Sequence, residues 1–175
     1  MAQEEGASFE RSAERLAFSL DARQRCAMPR TLWNESDRAE LLARVDKLRP
    51  DMTPAWGRMN ATQMMTHLSA WMHLATGDLP SAPRKMPMRF PVIKQLVIYV
   101  MPWPKGVPTA PELLSRVSHG WDAELADFKE QLKTFGKWES RTDWPLHPAF
   151  GKLSTKTWGV LGYKHTNHHL TQFGV

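Results

Sequence analysis

The chain has 175 residues, a length typical of one domain, and 42% of them are apolar, including eight Trp and ten Met, which is enough to fill a substantial core. Its single cysteine, Cys26, excludes an intramolecular disulfide framework and a cysteine-rich zinc cluster, so a metal ion would have to be held by histidine or carboxylate. The net charge of +5 comes from basic residues scattered among eighteen acidic ones rather than from a basic run, so we expect no nucleic-acid partner.

The first thirty residues are predicted to be an appendage, and residues 31–175 to be the folded domain. The appendage has helical spacing over 7–25 but no strong cap, and Pro29 closes it. In the domain, Ser36 is predicted to cap a helix over 37–48, because apolar residues follow at helical spacing: Leu41, Leu42, Val45 and Leu48.

A second helix is predicted to begin at the pair Asn60 and Gln63, which suits a capping box, and to end at Gly77. The following residues 78–111 contain eight of the thirteen prolines, so they cannot form one regular element, although residues 93–100 have the pattern of a short apolar helix. We interpret this segment as a long crossover, which allows the helices on either side of it to lie parallel.

Two further helices are predicted in the second half of the chain. The third covers residues 113–138, and the fourth begins near Ser154 or Thr155 after a loop over 139–153 and runs almost to the end. No strand-like alternation is present. The predicted fold is therefore all-α, a four-helix bundle with one proline-rich crossover between its second and third helices.

A membrane location is not expected from the sequence. The most apolar stretch, residues 92–101, is about half as long as the roughly 18 residues of a membrane span and is interrupted by Lys94 and Gln95. The N-terminus has no apolar segment of the kind found in secretory signals. Together with the single cysteine, these features predict a cytoplasmic protein.

The last predicted helix contains three of the seven histidines, and His165 and His169 are four residues apart, which places both imidazoles on one helical face. At roughly 100° per residue, that face also carries Trp158, Leu161, Gly162, His168 and Gln172. The same arithmetic places His67 of the second helix in an apolar stripe with Gln63, Met64, Ala70, Trp71 and Leu74.

Inward histidines on two helices have two explanations. They are explained economically if they meet at a metal ion, because a buried imidazole needs a partner for each ring nitrogen. They are also consistent with hydrogen-bonded core residues, since a histidine pair at this spacing occurs in many helices.

The residues also resemble a known family. The segments WGRMNATQMMTHL at 56–68, HPAFGKLS at 147–154 and WGVLGYKHTNHHLTQFGV at 158–175 are similar to the DinB-like superfamily of metalloenzymes and, within it, to the DUF1569 branch. The resemblance covers about residues 30–175. It implies a four-helix bundle of up-down-down-up topology with a divalent ion, nickel or zinc, on His67, His165 and His169. It also implies a homodimer.

Three imidazoles leave an open coordination position, as in catalytic metal sites. Because relatives in that superfamily include enzymes that use small thiols, the resemblance implies a metal-dependent hydrolase or a transferase with a small thiol as co-substrate, acting on a small molecule. Two other classes stay open: a metal-binding bundle without catalysis, and a basic interaction protein with structural histidines.

Six further residues are predicted to lie around the site. Gln63 and Gln172 lie one turn from a proposed ligand and could orient an imidazole or a water, or they could be polar residues at the bundle mouth. His168 suits a proton shuttle, a partner for a polar group or, less well, a fourth ligand. His147, before a proline, suits either a loop residue aimed at the pocket or a helix cap. Trp71 and Trp158 share the faces of the proposed ligands.

Overall fold

The computed structural model of the protein describes residues 28–103, 105, 113 and 117–175, so the predicted helix over 7–25 lies outside the described residues. Within them the regular structure is helical, which confirms the all-α prediction for this part of the chain. The remaining pairing there is an isolated antiparallel bridge between His147 and Gly151. Thr31–Val175 forms a compact unit.

Helix α1, Glu35–Val45, begins and ends earlier than the sequence predicted. Its N-cap is Asn34 rather than Ser36, because the Asn34 carboxamide accepts hydrogen bonds from the backbone N–H groups of Ser36 at 2.8 Å and Asp37 at 3.4 Å. These bonds satisfy two of the amides that a helix leaves unpaired at its start.

Helix α2, Ala61–Thr76, has the predicted bounds. The Asn60 side chain accepts from the Gln63 backbone at 2.8 Å and the Gln63 side chain accepts from the Asn60 backbone at 2.9 Å, which is a complete capping box. Gly77 ends the helix in the left-handed conformation, at φ 94°.

The crossover contains three short helical pieces: a 3₁₀ turn at Pro87–Arg89, helix α3 at Pro91–Gln95 and a π-helical turn at Leu96–Val100. The apolar helix predicted over 93–100 is therefore present, and it begins two residues earlier because Pro91 suits the first turn of a helix. The ammonium group of Lys164 holds the end of the π turn by donating to the carbonyls of Val97, Ile98 and Met101.

Helix α4, Trp121–Thr134, begins later than predicted and continues as a 3₁₀ turn, Phe135–Trp138. The prediction of helix over residues 117–120 is wrong. Gly120 there has φ 94°, a conformation outside the helical region that glycine adopts without a steric penalty. The Glu124 side chain supports this start, because it accepts from the backbone N–H of His119 at 3.0 Å.

Helix α5, Thr155–Gln172, is capped by Ser154, whose hydroxyl accepts from the Thr157 N–H at 3.2 Å, as the sequence predicted. Each of α1 and α2 packs against both α4 and α5, and the π turn packs against α5. No helix in the described part is both long and apolar enough to cross a membrane. The largest fully buried side chains of the core come from all of these helices and include Leu41, Met64, Leu68, Met72, Ile98, Phe128, Leu132 and Trp158.

Candidate metal centre

Three histidines from two helices meet inside the protein. His67 of α2 and His165 of α5 have their Nε2 atoms 2.9 Å apart, and the Nε2 of His169, one turn further along α5, lies 3.2 Å from that of His165. One ligand atom from each residue lies within 4.8 Å of the others. The helical spacing of His165 and His169 and the contact between α2 and α5 thus produce one cluster of three imidazoles.

Burial keeps these imidazoles neutral. His67 is 4% exposed and the other two are 6% exposed, and loss of hydration lowers the pKa of His67 to about 3 and that of His169 to about 4. Burial also holds the pKa of His165 well below its usual value, and the neighbouring imidazoles add to this effect. At neutral pH each ring therefore has one nitrogen lone pair available for a metal ion.

Hydrogen bonds between the three rings cannot satisfy all of the close nitrogen–nitrogen contacts in this cluster. The Nε2 of His165 contacts both neighbours, but it carries either one proton or one lone pair and so satisfies only one of the two contacts. A cation among three lone pairs satisfies all of them. At metal–nitrogen distances of about 2.0–2.1 Å, ligand nitrogens lie roughly 2.9 Å apart in an octahedral site and roughly 3.3 Å apart in a tetrahedral one. The observed separations of 2.9 and 3.2 Å fit this range.

Gln172 fixes the orientation of one of these rings. Its Oε1 accepts a hydrogen bond from Nδ1 of His169 at 2.9 Å, so the proton of that ring is on Nδ1 and the lone pair on Nε2. The Gln172 amide group in turn donates to the backbone carbonyl of Trp56. The Nδ1 atoms of His67 and His165 are buried without a partner among the described residues, so His169 is the ring that a further side chain orients there.

Gly57 allows Gln172 to occupy this position. A Cβ atom at Gly57 would lie 2.5 Å from Nε2 of Gln172, and the residue has φ 84°, which favours glycine. The segment that precedes α2 therefore takes part in the site through its backbone.

The cluster lies in the wall of a cavity of about 500 Å³. Most of its wall is apolar or aromatic, which is typical of small-molecule sites. Trp71 and Trp103 lie against the His165 ring, with centroid distances of 5.4 and 5.7 Å. The other lining residues outside the histidine cluster are Trp56, Gly57, Arg58, Met59, Arg84, Met86, Met88, Val97, Leu113, His147, Pro148, Ala149, Phe150, His168 and Gln172.

The two tryptophans predicted for the site have different positions. Trp71 lines the cavity and packs closely on α5 at Gly162. The absence of a side chain there allows this contact, since a Cβ atom at Gly162 would lie 2.8 Å from the Trp71 ring. Trp158 is fully buried behind the cavity wall, where its ring lies 5.8 Å from Trp71 and 5.5 Å from His147. Trp158 therefore supports the site from the core.

His168 and His147 both line the cavity outside the three-histidine cluster. His168 is half-buried, and burial followed by the charge of Lys105 lowers its pKa. His147 is buried, and burial followed by the charge of Lys94 lowers its pKa to about 3. Its Nδ1 accepts from the backbone N–H groups of Ala149 at 3.2 Å and Phe150 at 3.3 Å, so this histidine closes its own turn as well as facing the cavity.

Gln63 does not join the site. Its side chain is exposed and bonded within the capping box of α2, and it is absent from the cavity wall. The structure gives it instead the capping role that the sequence predicted for the pair Asn60 and Gln63. The sequence did not point to three residues of the cavity wall, Gly57, Arg58 and Arg84. Helical periodicity could not find them because they lie in irregular segments, although a glycine before a capping box was a usable signal for Gly57.

Comparison with known proteins places the chain in a family. The family model described as a protein of unknown function, DUF1569, matches residues 29–174. The chain belongs to the DUF1569 family. The matched region of this DUF1569 protein contains the three clustered histidines, Gly57 and Gln172. No curated protein and no solved structure matches the chain.

Proposed function

We propose that this DUF1569 protein is a metal-dependent enzyme that acts on a small molecule, with a divalent ion, zinc or nickel, on His67, His165 and His169. One observation carries the proposal: three buried imidazoles bring one ring nitrogen each within 4.8 Å of one another in the wall of a 500 Å³ cavity. Three protein ligands leave a coordination position open, which is typical of catalytic rather than structural sites.

The chemistry proposed is hydrolysis or transfer to a small thiol. A bound ion would act as a Lewis acid that lowers the pKa of a water molecule or a thiol, so that either could serve as a nucleophile near neutral pH. The described cavity wall contains no carboxylate to act as a general base. His168 is the proposed proton carrier instead, because it lines the cavity with its ring centre 5.2 Å from that of His169, and its lowered pKa keeps the ring neutral at pH 7, with one nitrogen lone pair.

We further propose a DinB-like four-helix bundle of up-down-down-up topology for residues 31–175. The packing of α1 and α2 against both α4 and α5 supports it, because it gives the four long helices a cyclic order. The long segment between α2 and α4 allows these two helices to run in the same direction. A cytoplasmic location, a homodimer and the absence of a nucleic-acid partner remain expectations from the sequence and the resemblance.

Metal analysis of protein purified without an affinity tag tests the site. We expect about one divalent ion per chain, lost in His67→Ala and in His165→Ala. His73→Ala is the matched control, because His73 lies on α2 outside the cluster and bonds to Asp127 and Gln131. The result that would favour structural histidines in a basic interaction protein has two parts. The wild-type protein would bind no ion, and His67→Ala and His165→Ala would be as thermally stable as the wild type.

A reaction screen separates an enzyme from a metal-binding bundle without catalysis. Metal-loaded protein is incubated with glutathione and other small thiols plus electrophiles, and separately with simple esters and amides. We expect turnover in one arm that is lost on chelation and in His165→Ala. Turnover that survives chelation would contradict the proposed mechanism, and metal binding with no turnover in either arm would favour the non-catalytic role.

A further inference from the structure

The cavity has a cationic rim that the three histidines do not explain. Arg58 and Arg84 both line it, and the ammonium group of Lys105 lies 4.3 Å from the ring centre of Trp56, another lining residue. No aspartate or glutamate belongs to the described wall. The charge of the two guanidinium groups is therefore not neutralised by the described wall itself.

Arg84 is held at the cavity by its backbone. Its N–H donates to the carbonyl of Pro148 at 2.9 Å, and its own carbonyl accepts from the Arg89 guanidinium at 3.0 Å. These bonds fix the main chain of Arg84 against the turn that begins at His147. The Arg84 guanidinium forms no hydrogen bond or ion pair with any residue that the structure describes, and the same holds for Arg58.

His147 adds a neutral donor to the same wall. Two backbone N–H groups point at its Nδ1, so this nitrogen carries the lone pair and the proton is on Nε2. The Nε2 has no hydrogen-bond partner among the described residues. Unlike the fully buried nitrogens of the histidine cluster that lack a partner, it remains accessible to solvent. A ring that is 8% exposed thus presents an N–H group to the cavity.

The rest of the wall is suited to an apolar body. Aromatic and thioether side chains dominate it, and the volume of about 500 Å³ lies in the range of small-molecule pockets. Guanidinium groups bind carboxylates and phosphates through paired, charge-assisted hydrogen bonds, and an imidazole N–H adds a further donor. A ligand with an anionic head and an apolar body matches both parts of this surface.

We propose that the cavity binds a small organic anion, whose carboxylate or phosphate head is held by Arg84 and Arg58 with the Nε2–H of His147, while its apolar body packs on the aromatic wall. The inference deepens the proposed function, on which it rests for the use of this cavity as the substrate site. The head group is recognised by side chains and not by the ion, so anion binding and metal binding can be tested separately.

Calorimetric titration with 2-naphthoate, 2-naphthyl phosphate and the neutral 2-naphthamide tests this on both metal-free and metal-loaded protein. We expect an anion to bind at least about tenfold more tightly than the amide in both forms, and the preferred anion identifies the head group. Arg84→Gln and Arg58→Gln should each weaken that anion by about tenfold to a hundredfold and leave the amide unchanged. His147→Phe, which keeps a ring but removes the N–H, should lower the same ratio.

Arg49→Gln is the control, because it removes the same charge from an exposed arginine that pairs with Asp51 outside the cavity wall. Equal binding of anion and amide, or a loss in Arg49→Gln as large as in Arg84→Gln, would overturn the inference. A preference that disappears on metal removal but survives in both cavity arginine variants would also overturn it, while leaving the metal site of the proposed function intact.

Discussion

Gln172 accepts a hydrogen bond from Nδ1 of His169 at 2.9 Å and so selects the tautomer in which Nε2 of that histidine has a free lone pair. Such partners typically contribute about tenfold to a hundredfold to metal affinity. We expect Gln172→Ala to weaken divalent-ion binding by that factor, measured by competition with a chromophoric chelator. Thr171→Ala is the neighbouring control, since Thr171 is exposed and bonds to Arg44. Equal affinities in the two variants would contradict this role.

Gly57 has a steric and a conformational reason to remain glycine. Gly57→Ala should lose about 1–2 kcal/mol of unfolding free energy from its positive φ, and it should also lower metal affinity because its Cβ would displace Gln172. Gly174→Ala separates the two effects, because Gly174 also has a positive φ, 75°, but has open space around its Cβ position. Urea unfolding and chelator competition on both variants check this. A Gly57→Ala protein with wild-type metal affinity would remove Gly57 from the site.

Acid should destabilise the metal-free protein through its buried histidines. Their folded pKa values, about 3 for His67 and His147 and about 4 for His169, lie below the unfolded value near 6.5. Between these limits the unfolded chain binds more protons, so stability falls as the pH falls from about 6.5, by up to about 1.4 kcal/mol per pH unit for each histidine.

The measurement is chemical unfolding between pH 7.5 and 4.5 with chelator present. His147→Gln should reduce the pH slope, whereas His119→Gln should not, because His119 is exposed. A bound ion should raise the stability over the whole profile and leave its slope, since the rings are already unprotonated in the folded protein over this range. A metal-free profile that is flat over this range would show that these rings are not buried in neutral form.

Lys164 is predicted to be needed for the order of the crossover. Its ammonium group donates to three carbonyls at the end of the π turn, so Lys164→Met should leave those carbonyls unpaired and cost about 1–3 kcal/mol of unfolding free energy. Lys156→Met, an exposed lysine on the same helix, should be nearly neutral. Urea unfolding of both variants provides the comparison, and equal stabilities would show that the Lys164 bonds contribute little.

The sequence was most informative where helices carry the site. Angles around α2 and α5 place His67, His165 and His169 on inward faces, and the structure brings these three rings together. The same angles could not separate Gln63 from Gln172, because both lie one turn from a histidine. The difference is made by Asn60, which engages Gln63 in the capping box, whereas the Trp56 carbonyl engages Gln172.

The contacts made by the irregular segments could not be predicted from the sequence, for a physical reason. Arg84 lies beside the turn at His147 only through a backbone bond between residues 64 positions apart, and no periodic pattern encodes such a contact. The late start of α4 has a local cause that was visible in principle, because the apolar spacing behind the helix prediction over 113–138 begins at Trp121, directly after Gly120.

Lys164 and His165 are consecutive residues of α5, and they face different structures: one holds the π turn of the crossover and the other belongs to the histidine cluster. Val97, whose carbonyl accepts from Lys164 at 2.6 Å, also forms part of the cavity wall. An ion bound by His165 is therefore expected to restrict the stretch of α5 that carries the anchor of that wall. We expect ion binding to stabilise this part of the cavity surface in addition to its chemical role.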